Sequence, residues 1–177
     1  FAESEPLEAG FERAQEKTPR GYAFTYFKTV DGLSAGGVAE GARYYLRDGR
    51  ASISWDPDLY VSELQRNIDR AVFSEDNLVV WCVTCGPDSD TDEVDPEPFL
   101  ITEPTEWLYT LSDTTFRDSG TLDGRSTVRI DGVVDEIPTT VYVDQFSGIP
   151  MQVEQEETLW RYKDIGLSAS EDQFELP

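Results

Sequence analysis

Two spacings of apolar residues divide the chain. Leu7, Phe11 and Ala14 fall at i, i+4 and i+7, which predicts a helix over residues 5–18, weakened by Gly10 and ended by Pro19 and Gly21. The period then drops to two. Tyr22, Phe24 and Tyr26 alternate with Ala23 and Thr25, as in a strand. Residues 33–41, LSAGGVAEG, read as a flexible loop. ARYYLRDGRASISWD predicts a hairpin that turns at Asp48-Gly49, with Tyr44, Leu46, Ile53 and Trp55 facing inward. DLYVSELQRNIDRAVF is ambiguous, opening as a strand or turn and continuing as a helix. A strand is expected over Leu78–Cys82, followed by an irregular segment, residues 86–99, with three prolines and six acids.

The second half reads more simply. TEPTEWLYTLSDT predicts a short helix that starts at Pro104 and buries Trp107, Leu108 and Leu111. From residue 114 onward everything reads as antiparallel sheet: STVRIDG, TTVYVDQFSGIPMQVEQEE and TLWRYKDIG alternate with period two, and Gly124, Gly132 and Gly148 are expected at the bends. Helix, hairpins, short helix and meander together predict an α+β fold with mostly antiparallel strands. At 177 residues the chain suits a single domain, 1–177, with its own core.

Charge changes the picture. There are 36 Asp and Glu against 14 Lys and Arg, a net of −22. Such a surface repels nucleic acid and anionic head groups. Only Lys17, Lys28 and Lys163 are lysines, a balance that suits a salt-rich medium, where screening relieves self-repulsion. A halophilic source fits this composition; a generally acidic secreted protein is the plainer reading. Four Trp, eight Tyr and nine Phe argue for a packed core.

The sequence contains no histidine, which removes Ser-His-Asp and Cys-His nucleophile pairs, His bases and His metal ligands together. No apolar run reaches the roughly 18 to 20 residues that span a bilayer. The chain begins at Phe1 and not at Met, which leaves room upstream for an export signal or a membrane anchor.

The only cysteines, Cys82 and Cys85, follow a strand in the order Trp-Cys-x-x-Cys. A redox dithiol needs a helix after the motif to lower the first thiol's pKa. Here Gly86-Pro87-Asp88 and further acids follow, and carboxylates raise a thiolate's pKa. A zinc site needs two more soft ligands that the chain lacks. The preferred reading is a small disulfide clip at a strand end, with two free thiols as the remaining alternative. Asp88, Asp90 and Asp92 alternate as in calcium loops, but Glu93 stands where the turn needs Gly, and Phe99 occupies the twelfth position. They form a weak calcium candidate within a solvated acidic loop. No cofactor is expected.

One stretch carries a family likeness. Val143-Asp144, Ser147-Gly148-Ile149-Pro150, Tyr162-x-Asp164-Ile165 and the closing Phe174-Glu175-Leu176-Pro177 resemble the end of LolA-like and LppX-like envelope lipoproteins, and the order of helix, GYAFTYFKT and YYLRDGR hairpin is similar. The resemblance implies a curved antiparallel half-barrel with an N-terminal helix and short helices in its concavity. It also implies a non-enzymatic, exported protein of the cell surface or periplasm, anchored or free. Such a protein would bind a lipid, a lipoprotein acyl chain or another apolar ligand. In a half-barrel one strand parity faces the concavity. That parity carries Leu46, Ile53, Trp55, Val128, Ile130, Val141, Val143, Met151 and Val153, the candidate cavity lining. Arg47, Arg50, Arg129, Asp144, Gln152 and Glu154 are expected in water. The alternatives are a cell-surface structural or interaction module with a closed core, and a thiol-disulfide oxidoreductase using Cys82 and Cys85.

Overall fold

The structure is a computed structural model that describes residues 21–47, 50–54, 70–74, 77–81, 91–94 and 100–169. The expected helix over residues 5–18, the Asp48-Gly49 turn, Trp55, the cysteines Cys82 and Cys85, and Asp88 and Asp90 of the acidic run lie outside these residues.

The elements run β1 (Gly21–Val30), β2 (Leu33–Ser34), β3 (Arg43–Arg47), β4 (Arg50–Ser54), β5 (Arg70–Ser74), β6 (Asn77–Trp81) and β7 (Thr91–Val94). There follow a helix α1 (Glu106–Thr110) and the strands β8 (Ser112–Leu122), β9 (Arg125–Val134), β10 (Ile137–Asp144), β11 (Pro150–Gln155) and β12 (Thr158–Gly166). The pairs β1–β3, β3–β4, β4–β5, β5–β6, β6–β7, β8–β9, β9–β10, β10–β11 and β11–β12 are antiparallel. The class is α+β as expected, but the described helix is slight: α1 has five residues. Two compact units divide the chain, and β1 and β12 contribute to both.

One unit comprises the described residues within 21–27, 34–101 and 164–169 and carries the strand order β7-β6-β5-β4-β3-β1. Its core is aromatic. Phe24 stacks on its cross-strand partner Tyr44 with ring centroids 5.6 Å apart, and Tyr26 meets Tyr44 edge-on at 6.1 Å. Tyr44 pairs in turn with the buried Ile53 and Tyr22 with Leu46. Burial pushes the Tyr44 hydroxyl far above its ordinary range, so it stays neutral. The far parity is tied down by cations. Arg43 donates to Thr25 Oγ1 and to the Asp164 carbonyl, and Arg47, half-buried and not fully in water, donates to the Ala169 carbonyl at 2.9 Å. The expected loop at residues 33–41 is better ordered than its glycines suggest: β2 pairs with β1, and a 3-10 turn spans Gly37–Ala39.

The other unit comprises, among the described residues, 28–33 and 102–163 and carries β12-β11-β10-β9-β8. β8 starts two residues before the sheet expected from residue 114, and SDTTFRDSGTL is polar almost throughout. It is an edge strand whose side chains are mostly exposed, and two register shifts along β9 blunt the edge. A further shift between Tyr142 and Val143 places Pro150 opposite Val143, where its missing N–H is tolerated and Met151 is the extra, buried residue. Gly124 and Gly148 do mark bends, at φ +78° and +77°. Gly132 does not; it lies within β9, where a Cβ would come 2.8 Å from Leu111 Cγ.

Asp144 corrects the expectation that it faces water. It is 2% exposed. Its carboxylate accepts bonds from the Ser147 hydroxyl (2.6 Å), the Ser147 and Phe146 amides and Arg125 Nη1 (3.3 Å). Those bonds, with Gly148 N–H to the Asp144 carbonyl at 2.8 Å, lock the turn that leads into Ile149-Pro150. Gln152 and Glu154 are half-buried, while Arg129 is exposed as expected.

Candidate functional site

The site is built on one face of the β8–β12 unit. Cross-strand register aligns Ile130, Val141, Val153 and Trp160 in a row, with Val128 and Val143 paired beside it. All six are buried, each contributing roughly 1.5–3 kcal/mol as an apolar side chain removed from water. The row exists because one parity of each strand is Val, Ile or Trp while the other carries Arg129, Asp131 and Glu154.

Helix α1 seats on this row. Trp107 is its buried residue and lies 4.7 Å from the ring of Trp160. The Trp107 indole N–H donates to the Tyr162 hydroxyl at 2.8 Å, and that hydroxyl donates to the Thr102 carbonyl at 2.7 Å. Lys28 Nζ stands 5.3 Å from the Trp160 ring centroid. Leu108 and Leu111, expected to be buried, are half-buried; Leu111 occupies the space that Gly132 leaves open. The helix starts at Glu106, two residues after the expected Pro104, with Thr105 at its N-cap, and ends just before Ser112 enters β8.

Between α1 and the β9–β10 hairpin lies a cavity of about 240 Å³. Trp107, Val134 and Ile137 form its apolar wall. Its polar wall includes Glu106, Thr110, Asp135 and Gln155. Asp135 sits in the two-residue turn Asp135-Glu136, both at positive φ (49° and 68°). Burial, and then the charge of Glu106, push the neighbouring Glu103 carboxyl above the usual carboxylate range. On the far face, burial pushes Asp131 up, but hydrogen bonds from Arg129, Thr140 and Arg117 outweigh it and hold the carboxyl below that range.

The structure divides the candidate lining residues. Val128, Ile130, Val141, Val143, Met151 and Val153 share the face under α1, and all are buried. Leu46 and Ile53 are buried within the aromatic unit, beside Tyr22 and Tyr44. None of them lines the cavity, which is formed by residues the alternation argument passes over. Its one sequence signal is Trp107, expected to be buried. Asp92 lies in β7 opposite Val80, and among the described residues no three potential metal ligands cluster.

No defined protein family and no curated protein matches the sequence. Solved structures do. An uncharacterized conserved protein from Thermus thermophilus aligns with a TM-score of 0.53 and 10% identity over 97% of this chain and 94% of its own. The Mycobacterium tuberculosis lipoprotein LppX aligns with a TM-score of 0.51 and 13% identity over 94% of this chain and 99% of its own. The Pseudomonas aeruginosa MucA/MucB complex aligns with a TM-score of 0.52 and 11% identity over 96% of this chain and 61% of its own. Identities this low speak to architecture. The chain has a LolA/LppX-like fold, the half-barrel class.

Proposed function

We propose that the protein is a non-enzymatic, exported binding protein of the cell envelope that holds an apolar ligand, a lipid or the acyl chain of a lipidated partner, against the face under α1. The observation that carries this reading is the cavity between α1 and the β9–β10 hairpin, walled by Trp107, Val134 and Ile137. At about 240 Å³ it falls just under the roughly 300 Å³ at which drug-sized pockets begin. It therefore seats one end of a ligand, and a longer chain requires α1 to lift. The likeness to a lipoprotein agrees with an envelope setting. Among the described residues no helix is long and apolar enough to cross a membrane.

A second reading, an interaction module with a closed core, is favoured by the complete burial of Val128, Val141, Val143 and Val153, and a neighbour of the same fold is a protein complex. Two measurements decide between them. Native mass spectrometry of protein from its natural host should find co-purified lipid, and a long-chain alcohol should shift the Trp107/Trp160 emission saturably. Absence of both leaves the interaction module.

A further inference from the structure

The turn between β10 and β11 is built more firmly than a connection requires. The backbone N–H of every residue from Gln145 to Ile149 finds an acceptor: the Ser126 carbonyl, both oxygens of the Asp144 carboxylate, the Asp144 carbonyl and the Ser147 hydroxyl, in that order. Ser147 and Ile149 are buried, yet Phe146 between Gln145 and Ser147 is 69% exposed. A turn needs no phenyl ring. An exposed aromatic on a backbone already fixed has the form of a binding anchor, because little ordering entropy remains to be lost on contact. Two arginines belong to the same end of the sheet. Arg125 pairs with Asp144, and Arg161 with Asp123 of the adjoining β8–β9 turn; they keep 32% and 31% of their side chains in water.

The cavity under α1 lies at the other end of β10. Ile137 is the first residue of that strand and Phe146 stands two beyond its last, so the two are roughly 25 Å apart along it. No copy can fill its own cavity with its own Phe146. From this arrangement we infer that the Phe146 turn of one copy seats in the α1 cavity of a second copy. The inference goes beyond the ligand-binding reading and uses the same cavity. A space of about 150 Å³ holds a benzene-sized ring, and this one offers about 240 Å³ walled by Trp107, Val134 and Ile137. Exposed Glu106 and Asp135 border it, and Tyr109 stands 87% exposed on the same helix. The incoming turn brings its ring together with the exposed guanidinium stems of Arg125 and Arg161, so those carboxylates meet cations. Knob and socket are different surfaces of one molecule. The contact is therefore heterologous, and copies add head to tail.

The test is sedimentation velocity over a range of concentrations in about 0.15 M salt, where a Debye length of about 8 Å screens the general repulsion between copies but not charges in contact. The weight-average mass should rise past that of a dimer, in the high-micromolar range expected of a small contact. F146S changes an exposed side chain, so it should keep the parent's thermal midpoint while losing at least about tenfold in association. T110W and I137W fill the cavity from its two walls and should lose association as well. Mixing fixes the geometry. F146S keeps the socket and T110W keeps the knob, so together they should form a one-to-one dimer that grows no further. A parent that stays monomeric, or F146S that associates like the parent, overturns the contact. Failure of the mixture to pair overturns the cavity as the seat of Phe146. Octanol, taken up by the same cavity, should dissociate the parent assembly. If it does not while the mixture still pairs, the ligand reading fails and the contact between copies stands.

Discussion

Tyr162 holds Trp107 through a single hydroxyl that accepts from the indole at 2.8 Å and donates to the Thr102 carbonyl at 2.7 Å. Tyr162 and Trp107 are buried, so the indole N–H has no water to fall back on when the hydroxyl is removed, whereas Thr102 is half-buried. Y162F keeps the ring and deletes both bonds. It should cost roughly 1–3 kcal/mol, since the buried indole N–H loses its partner. Urea unfolding followed by tryptophan emission measures it, and a cost below about 0.5 kcal/mol would mean that α1 is held by apolar contact alone.

Asp144 organises the turn of Ser147-Gly148-Ile149-Pro150. D144A should destabilise the protein by about 2–4 kcal/mol, because a buried acceptor of several bonds is lost. S147A, which deletes one of those bonds, should cost about 1 kcal/mol. R125M should cost at most about 1 kcal/mol, since Arg125 keeps a third of its side chain in water. Equal costs for all three would place the stabilising interaction in the ion pair instead of the turn.

Two carboxyls give opposite pH signatures. The folded-state pKa of Asp131 is lowered, so its contribution is present above the ordinary carboxylate value of about 3.9 and is lost as pH falls through the folded value. D131N should therefore be less stable than the parent at neutral pH and equal to it in acid. The folded-state pKa of Glu103 is raised, so stability is full below the ordinary value of about 4.3 and declines as pH rises through the folded value. E103Q should match the parent in acid and exceed it at neutral pH. Thermal midpoints across pH 2–8 read both differences, and a like sign for the two variants would refute the assignments.

Wall and core respond differently to bulk. I130W and V143W overfill fully packed positions and should each cost roughly 1–3 kcal/mol. I137W points bulk at the cavity wall and should abolish octanol binding at a smaller cost in stability. If I137W leaves binding intact, the ligand lies elsewhere.

The strands are readable because their alternation reports a local rule: Val128, Ile130, Val141, Val143 and Val153 keep one parity, and the sheet buries that parity. β8 falls in the stretch read as sheet from residue 114, but its start at Ser112 is not marked, because an edge strand has little to bury and Ser112–Leu122 carries little alternation. Asp144 misleads for a related reason. Parity assigns a direction, but its carboxylate is turned back onto its own turn by Ser147, a bond no periodicity encodes. The ambiguous stretch that runs into Arg70–Ser74 is a strand there, where pairing with β4 and β6 decides what propensity does not. The cavity is not legible in the sequence because α1 and the β9–β10 turn, distant along the chain, build it together.

Gly132 has a consequence of its own. Leu111 rests where a side chain at Gly132 would stand, and the Ser112 carbonyl oxygen lies closer still, 2.7 Å from the place of a Cβ. A single added methyl there would press on the β8 backbone as well as on Leu111. The chain can therefore leave α1 and enter β8 hard against β9 only because position 132 carries no side chain, which makes this glycine a condition for the seating of the edge strand.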